Sequence, residues 1–453
     1  MSEQGIADSI ITGARIVTMD ADCRVLSNAA IAILGDRIVG LGPTDEVVAE
    51  FSGAMVDGRH FVITPGLING HIHVTGDPLA RAWLPDRQGD DFEDELARWV
   101  LPRFRAHSPE DECVSAELAA LKMLAGGTTT FVEAGTVNFL DHVVQGAAAT
   151  GIRGRVGAWV EGRDKNDPKA AIDGAINNLE KAITEFPTAD DARIAAWPIL
   201  VGHSTNPDEV WKAAKAMADD KGLSVAAHMS PYEDDPNWYL AEYGCRPIEH
   251  LADIGVLGSN VCLTHLAHIN HSETELLAST KTHAVLCPIA ALRGGFGLSA
   301  HGRFPEMMEL GVNVMIGTDG YDQDMLRQAQ VMAGVFKDAR RDRSLFPAEE
   351  MLKLLTVNGA KGLGLESDIG SLQVGKKADF VCHDTDRPEW QPLQNVVNQL
   401  AWLVDGRSVH SVWVDGVRVI DEYRSTQIDE QELYRRAAVS SRAVMKRAGL
   451  PLS

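Results

Sequence analysis

Between residues 61 and 320 eight short apolar runs alternate with segments of helical periodicity, and this repetition limits what the chain can fold into more than any other feature. The runs are FVITPGLINGHIH, TTTFVEAG, RGRVGAWV, RIAAWPILVG, LSVAAHMS, VCLTHLAHI, HAVLCPI and VNVMIGTDG. Apolar runs of this length read as strands buried on both faces. Several intervening helices are marked by their ends. Ser108, Pro109 and Asp111 form an N-cap, a first-turn proline and a capping box; Val114, Leu118, Leu121 and Ala125 then share one helical face. Ile172, Ile176, Leu179 and Ile183 make a second stripe, and Asn206-Pro207 with Glu209 opens a third helix in the same style. Eight strand-helix repeats predict an α/β protein built on a (β/α)8 TIM barrel. A doubly wound sheet is the competing fold, and it is weakened because no GxGxxG follows any strand.

The two ends of the chain read differently. IITGARIVTM alternates in polarity, and AAIAILGDRIVGLGP is two strands around Gly35-Asp36. GSLQVGKKADFVCHD and VHSVWVDGVRVIDE are β-rich as well. These predict a small β-sandwich domain composed of residues 1–62 and 366–425, a barrel over 63–365, and a C-terminal helix within 426–453.

At 453 residues and 45% hydrophobic composition, such a chain can bury its core without disulfides. The six cysteines, at positions 23, 113, 245, 262, 287 and 382, form no CxxC pair and sit mostly in apolar runs. They read as reduced, buried thiols. MSEQGIADSI lacks the features of a signal peptide, and no apolar run approaches about 18 residues, so a cytoplasmic protein without a membrane span is expected. With 42 Lys plus Arg against 64 Asp plus Glu the net charge is -22, which repels nucleic acid and anionic membranes.

The chemical signal is where polar residues fall on these apolar strands, because barrel enzymes gather function at strand C-termini. The first run ends in His71 and His73, two apart and hence on one side of a strand. The fifth ends with His228, the sixth carries His265 and His268, and the eighth ends in GTDG with Asp319. These are ligand types that suit zinc or another borderline divalent metal. Singly, each has a plainer explanation: HxH is weak, and an aspartate in GTDG is commonly a turn residue. Together at four strand ends they resist a structural explanation, since buried charge is costly unless paired or metal-bound.

PGLINGHIH, AAHM, LTHLAH and GTDG, enclosed by two β-rich ends, resemble the amidohydrolase superfamily over nearly the whole chain. The resemblance is strongest to the branch of cytosine, guanine and S-adenosylhomocysteine deaminases with the triazine hydrolases. LCPIAALRGGFGL is similar to a run of the triazine chlorohydrolases. The resemblance implies a metal held by His71, His73, His228 and Asp319, and an acid-base or electrophilic role for His265. Binuclear branches carry a carboxylated lysine at the end of the fourth strand; RIAAWPILVGHS has none, which implies one metal per chain, zinc first, with Fe2+ or Co2+ as alternatives. Metals lower the pKa of a bound water towards about 7. Asp319 is placed to accept that proton and His265 to stabilise developing charge.

The chain departs from the deaminase pattern at one position. Deaminases carry a proton-donating glutamate three residues after the strand-five histidine, where this sequence has Pro231. Glu233 is the candidate replacement, although a solvated loop acid beside Asp234 and Asp235 is its plainer reading. The loss favours hydrolysis of a C–N bond in an amide, urea or carbamate-like group of a small molecule, because charge then develops on oxygen. Deamination or dechlorination of a nucleobase-like or s-triazine heterocycle is the alternative. A non-catalytic metal or ligand binder on the same fold is a third reading. His203, Arg293 and Trp83 are candidate substrate contacts, with Trp238 a weaker one, and residues 76–100 and 293–303 shape the pocket. Relatives of this kind imply a homodimer or higher homo-oligomer.

Overall fold

The computed structural model describes residues 4–81, 83, 95–189 and 191–451. Each of the eight runs contains a strand, and two of the runs are broken. The first divides into Phe61–Pro65 and Leu67–Ile72. The fourth divides into Ile194–Ala196 and Ile199–Gly202. The others are Thr128–Glu133, Arg153–Val156, Val225–Met229, Val261–His265, His283–Leu286 and Val314–Ile316.

These strands make two parallel sheets. Leu67–Ile72, Thr128–Glu133, Arg153–Val156 and Ile194–Ala196 form one of four strands; Ile199–Gly202 and the remaining runs form one of five. The break in the fourth run falls at Trp197-Pro198, where proline has no N–H to donate to a ladder. The chain is still tied on both sides there, Trp197 N donating to Val156 O at 2.9 Å and Ala226 N to Pro198 O at 3.3 Å. At the other seam the N–H groups of Thr318 and Asp319 donate to His71 O at 2.9 and 3.0 Å. A Cβ on Gly317 would lie 2.8 Å from the His71 Cβ, so this close approach of the last strand to the first requires glycine.

The two ends of the chain share one nine-stranded sheet. Phe380–Asp384 pairs antiparallel with Phe61–Pro65, which in turn pairs parallel with Gly5–Val17. The step from this sheet into the parallel strands is made at Gly66, where a Cβ would meet the Thr129 side chain at 2.1 Å. The helix Glu430–Arg447 lies against Pro109–Ala125, with ion pairs Arg436–Glu117 and Arg447–Asp111.

The capping box at Ser108 and Asp111 is formed reciprocally. Asn206 differs from expectation. The helix Asp208–Lys221 has no side-chain cap; Asn206 instead accepts from Gly202 N at 2.8 Å and donates to Val160 O at 3.1 Å, tying down the end of the fourth strand. All six cysteines are unpaired, and Cys113, Cys262, Cys287 and Cys382 are buried. Among the described residues no helix is long and apolar enough to cross a membrane.

Candidate metal and catalytic site

His71 ends its strand facing inward because Asn69, two residues earlier, holds the local backbone: Asn69 Oδ1 accepts from His71 N at 3.2 Å and from Thr318 N at 3.1 Å. Around His71 the rings of His73, His228 and His265 have centroids 5.4, 4.6 and 5.6 Å away. His73 Nε2 lies 3.5 Å from His228 Nε2 and 3.3 Å from Asp319 Oδ1, and His265 Nε2 lies 3.9 Å from Asp319 Oδ2. Four separate strand ends thus deliver their polar groups to one point.

The outer nitrogens of three of these rings are engaged elsewhere. His71 Nδ1 is 3.1 Å from Thr264 Oγ1, His73 Nδ1 is 2.9 Å from Thr136 Oγ1, and His228 Nδ1 is 2.8 Å from the Val201 carbonyl. A carbonyl only accepts, so His228 carries its proton on Nδ1 and leaves a lone pair on Nε2. The inner Nε2 of His71 is buried and has no partner among the described residues. Burial, then the charge of the neighbouring rings, holds His71, His228 and His265 well below the usual imidazole range. They are neutral, the form that binds metal. Burial also raises the Asp319 carboxyl, which accepts from Gly320 N at 2.7 Å. An orphaned inner nitrogen on His71, occupied outer ones and a carboxylate at the rim are a donor set that fits a divalent metal.

Ligand-capable atoms of His71, His228 and His265 lie within 4.8 Å of one another, and so do those of His71, Cys287 and Asp319. His265 therefore stands close enough to be a ligand as well as a catalytic group. The sequence presents Cys287 as a buried thiol, and its position directly after the seventh strand is the signal that brings it to the site. Burial pushes its thiol well up. A second layer was also missed. Glu133, at the end of the second strand, accepts from Gly135 N at 2.5 Å and meets Thr136 Oγ1 at 3.1 Å, behind His73. Its burial pushes the carboxyl up to about 8.

Above the cluster is a cavity of about 300 Å³. His73, His203, His228, His265 and Asp319 line it, with Trp83, Arg293 and Trp238 on its walls beside Phe104, Trp159, Phe296 and Tyr321. Arg293 stacks over the Tyr321 ring at 4.7 Å. His268 turns away, its Nε2 2.7 Å from the Phe296 carbonyl. Pro231 lines the cavity as expected, but Glu233 does not: it is exposed just before the helix Asp234–Tyr243 and is not a wall residue. The helix turn that starts there directs Asp235 inward instead, so the candidate replacement acid at Glu233 is not supported by position. Besides Asp319, the carboxylates that do line the cavity are Asp77, Glu95, Glu161, Asp234 and Asp235.

The chain belongs to the amidohydrolase family, whose model matches residues 62–419. A 5'-deoxyadenosine deaminase of Methanosarcina acetivorans is 28% identical over 452 residues, 98% of this chain and 100% of that protein. The crystal structure of an adenosine deaminase from Xanthomonas campestris with bound zinc superposes with a TM-score of 0.87 at 25% identity, over 98% of this chain and 100% of that one. The zinc complex of an atrazine chlorohydrolase from Arthrobacter aurescens TC1 shares the fold, with a TM-score of 0.83 at 22% identity over 96% and 100% of the two chains.

Proposed function

We propose that this chain is a metal-dependent hydrolase that displaces an amine or ammonia from a small nitrogen heterocycle, using one divalent ion, zinc first, held by His71, His73, His228 and Asp319. The two parallel sheets are read as the arcs of one (β/α)8 barrel, with the nine-stranded sheet as its accessory β-sandwich. The observation that carries the reading is the buried, unpartnered Nε2 of His71 at the meeting point of four strand ends. When bound, the metal supplies a water acidified towards neutral pH. Asp319, at the rim of the histidine cluster, would be placed to take up a proton there and to pass it to the leaving group. His265 points its Nε2 towards the same carboxylate and polarises the group under attack. The 5'-deoxyadenosine deaminase relative supports a heterocyclic substrate, and the aromatic walls suit a planar one.

Pro231 favours a second reading. It stands on the cavity wall where a proton donor to a ring nitrogen would be needed, and it carries none. Amides, ureas and carbamates place the developing charge on oxygen, beside His265, and need that donor less. Metal analysis of purified protein is expected to give about one divalent ion per chain. A screen of metal-loaded protein against amino-heterocycles, ureas, carbamates and amides, following ammonia or amine release, is expected to show turnover of heterocycles. Two bridged ions would overturn the mononuclear site, and turnover confined to ureas, carbamates or amides would put the second reading first.

A further inference from the structure

Asp77, just past the strand Leu67–Ile72, brings a further carboxylate into the cavity beside Asp319. Two contacts fix it. Its Oδ1 accepts from Arg103 Nη2 at 3.3 Å, and the buried Arg103 is itself held by Nε donating to the Trp99 carbonyl at 3.0 Å. Its other oxygen lies against Gly320. A Cβ on Gly320 would fall 1.9 Å from Asp77 Oδ2 and 2.5 Å from its Cγ, so only glycine lets the carboxylate come this close. Gly320 also donates its N–H to Asp319 Oδ1 at 2.7 Å. Two carboxylates thus rest on the backbone of one residue. Arg103 accounts for Oδ1, but among the described residues Oδ2 accepts from no donor. An ion pair serving the fold alone would not need that second oxygen beside Asp319, on a side chain that is still 21% exposed.

Displacement of an amino group gives that oxygen a task. The oxygen of water bonds to the ring carbon, and the C–N bond breaks with its electron pair going to nitrogen. One proton of the water reaches that nitrogen, so ammonia leaves and the ring keeps the hydroxyl. If Asp319 passes this proton, the nitrogen departs on the Asp319 side of the cavity with N–H bonds to donate. We propose that Asp77 is a specificity residue that accepts an N–H of the departing nitrogen through Oδ2, so that the site takes amino leaving groups and discriminates against chloride and alkoxide on the same ring. Those groups bring lone pairs and growing negative charge, no N–H, and meet a second carboxylate beside Asp319. This role rests on the reading of the cavity as a hydrolytic site in which Asp319 moves the proton.

Matched rings that differ only in the group displaced test the proposal. The probes are the 6-amino-, 6-chloro- and 6-methoxypurine ribosides and the 2-amino-, 2-chloro- and 2-methoxy-s-triazines, each given to zinc-loaded protein. In the series that turns over, kcat/KM of the amino member is expected to exceed those of its partners by roughly 10-fold or more, although chloride is intrinsically the better leaving group. Asp77→Asn keeps an oxygen for Arg103 and loses the charge. It is expected to lower the ratio of amino to chloro kcat/KM by roughly 10- to 100-fold, the size of losing a hydrogen bond to a charged group, at unchanged zinc content. A merely structural role would lower all members together and leave the ratio alone, so an unchanged ratio overturns the proposal. Chloro or methoxy compounds turned over by the unmodified protein as well as the amino one also overturn it; if Asp77→Asn does not fold, these ratios decide. No turnover in either series overturns the reading of the cavity as a heterocycle hydrolase. Calorimetric binding of the same probes then decides the role of Asp77. Tighter binding of the amino member than of the chloro member, lost in Asp77→Asn, supports it, and equal or absent binding overturns it.

Discussion

Two of the clusters of buried ionisable groups among the described residues are built on opposite principles. In one, Arg153 on the third strand pairs with Asp379 and Asp415 of the nine-stranded sheet, while Arg193 and Lys377 reach Asp415 at 3.1 and 3.2 Å. Every charge there meets its opposite. Burial alone would lower Arg153, but the two aspartates hold it above its ordinary value. In the other cluster, three neutral histidines and Asp319 face one another with the His71 Nε2 and the His265 Nδ1 unpartnered. A cluster that satisfies itself holds a fold together. One that leaves polar atoms unsatisfied at its centre is built to receive something from outside.

The contrast predicts opposite outcomes for truncation. Arg153→Met should strand the buried Asp379, while Asp415 keeps Arg193 and Lys377, and cost about 3–5 kcal/mol, as breaking a buried ion pair from one side does. Chemical denaturation measures it, and a loss below about 1 kcal/mol would mean that the network is not what joins the third strand to the terminal sheet.

His265→Ala should do the reverse. The ring's Nδ1 makes no hydrogen bond within the described residues, so the fold has little to lose. Turnover should fall by roughly 10²-fold or more, a typical size for losing an acid-base or electrophilic group. Melting temperature and metal content should barely move. A variant that loses its metal would transfer His265 to the ligand set, which its distance from His71 and His228 permits.

The first cluster was invisible in the sequence and the second was largely legible there, for a physical reason. Ligands at strand ends leave a local signature, polar residues closing apolar runs, and His71, His73, His228, His265 and Asp319 all carried it. Ion pairs between distant segments leave none: Arg153 in RGRVGAWV and Asp415 in VDGVRV look like ordinary strand and turn residues. Glu233 and Asp235 show the limit more finely. Both lie in the same acidic run, and only the turn at the start of the helix decides which one faces inward. Trp197-Pro198 likewise gave no sign that one apolar run would serve two sheets.

Glu133 tests where the boundary between the two clusters lies. It is buried and hydrogen-bonded like the members of the first cluster, yet it stands behind His73 of the second through Thr136. Burial pushes its carboxyl from an ordinary 4.5 up to about 8. Between those values the folded protein keeps a proton that the unfolded chain releases. Its contribution to stability is therefore fully present below about 4.5 and is lost as pH rises towards 8, at no more than about 1.4 kcal/mol per pH unit. Glutamine mimics the protonated acid and does not titrate. The stability of the unmodified protein relative to Glu133→Gln should thus decline between pH 5 and 8 in denaturation measured at a series of pH values. Parallel curves would place Glu133 with the self-satisfied charges, as an ionised acceptor for Gly135 and Thr136 rather than a protonated support behind a metal-facing histidine.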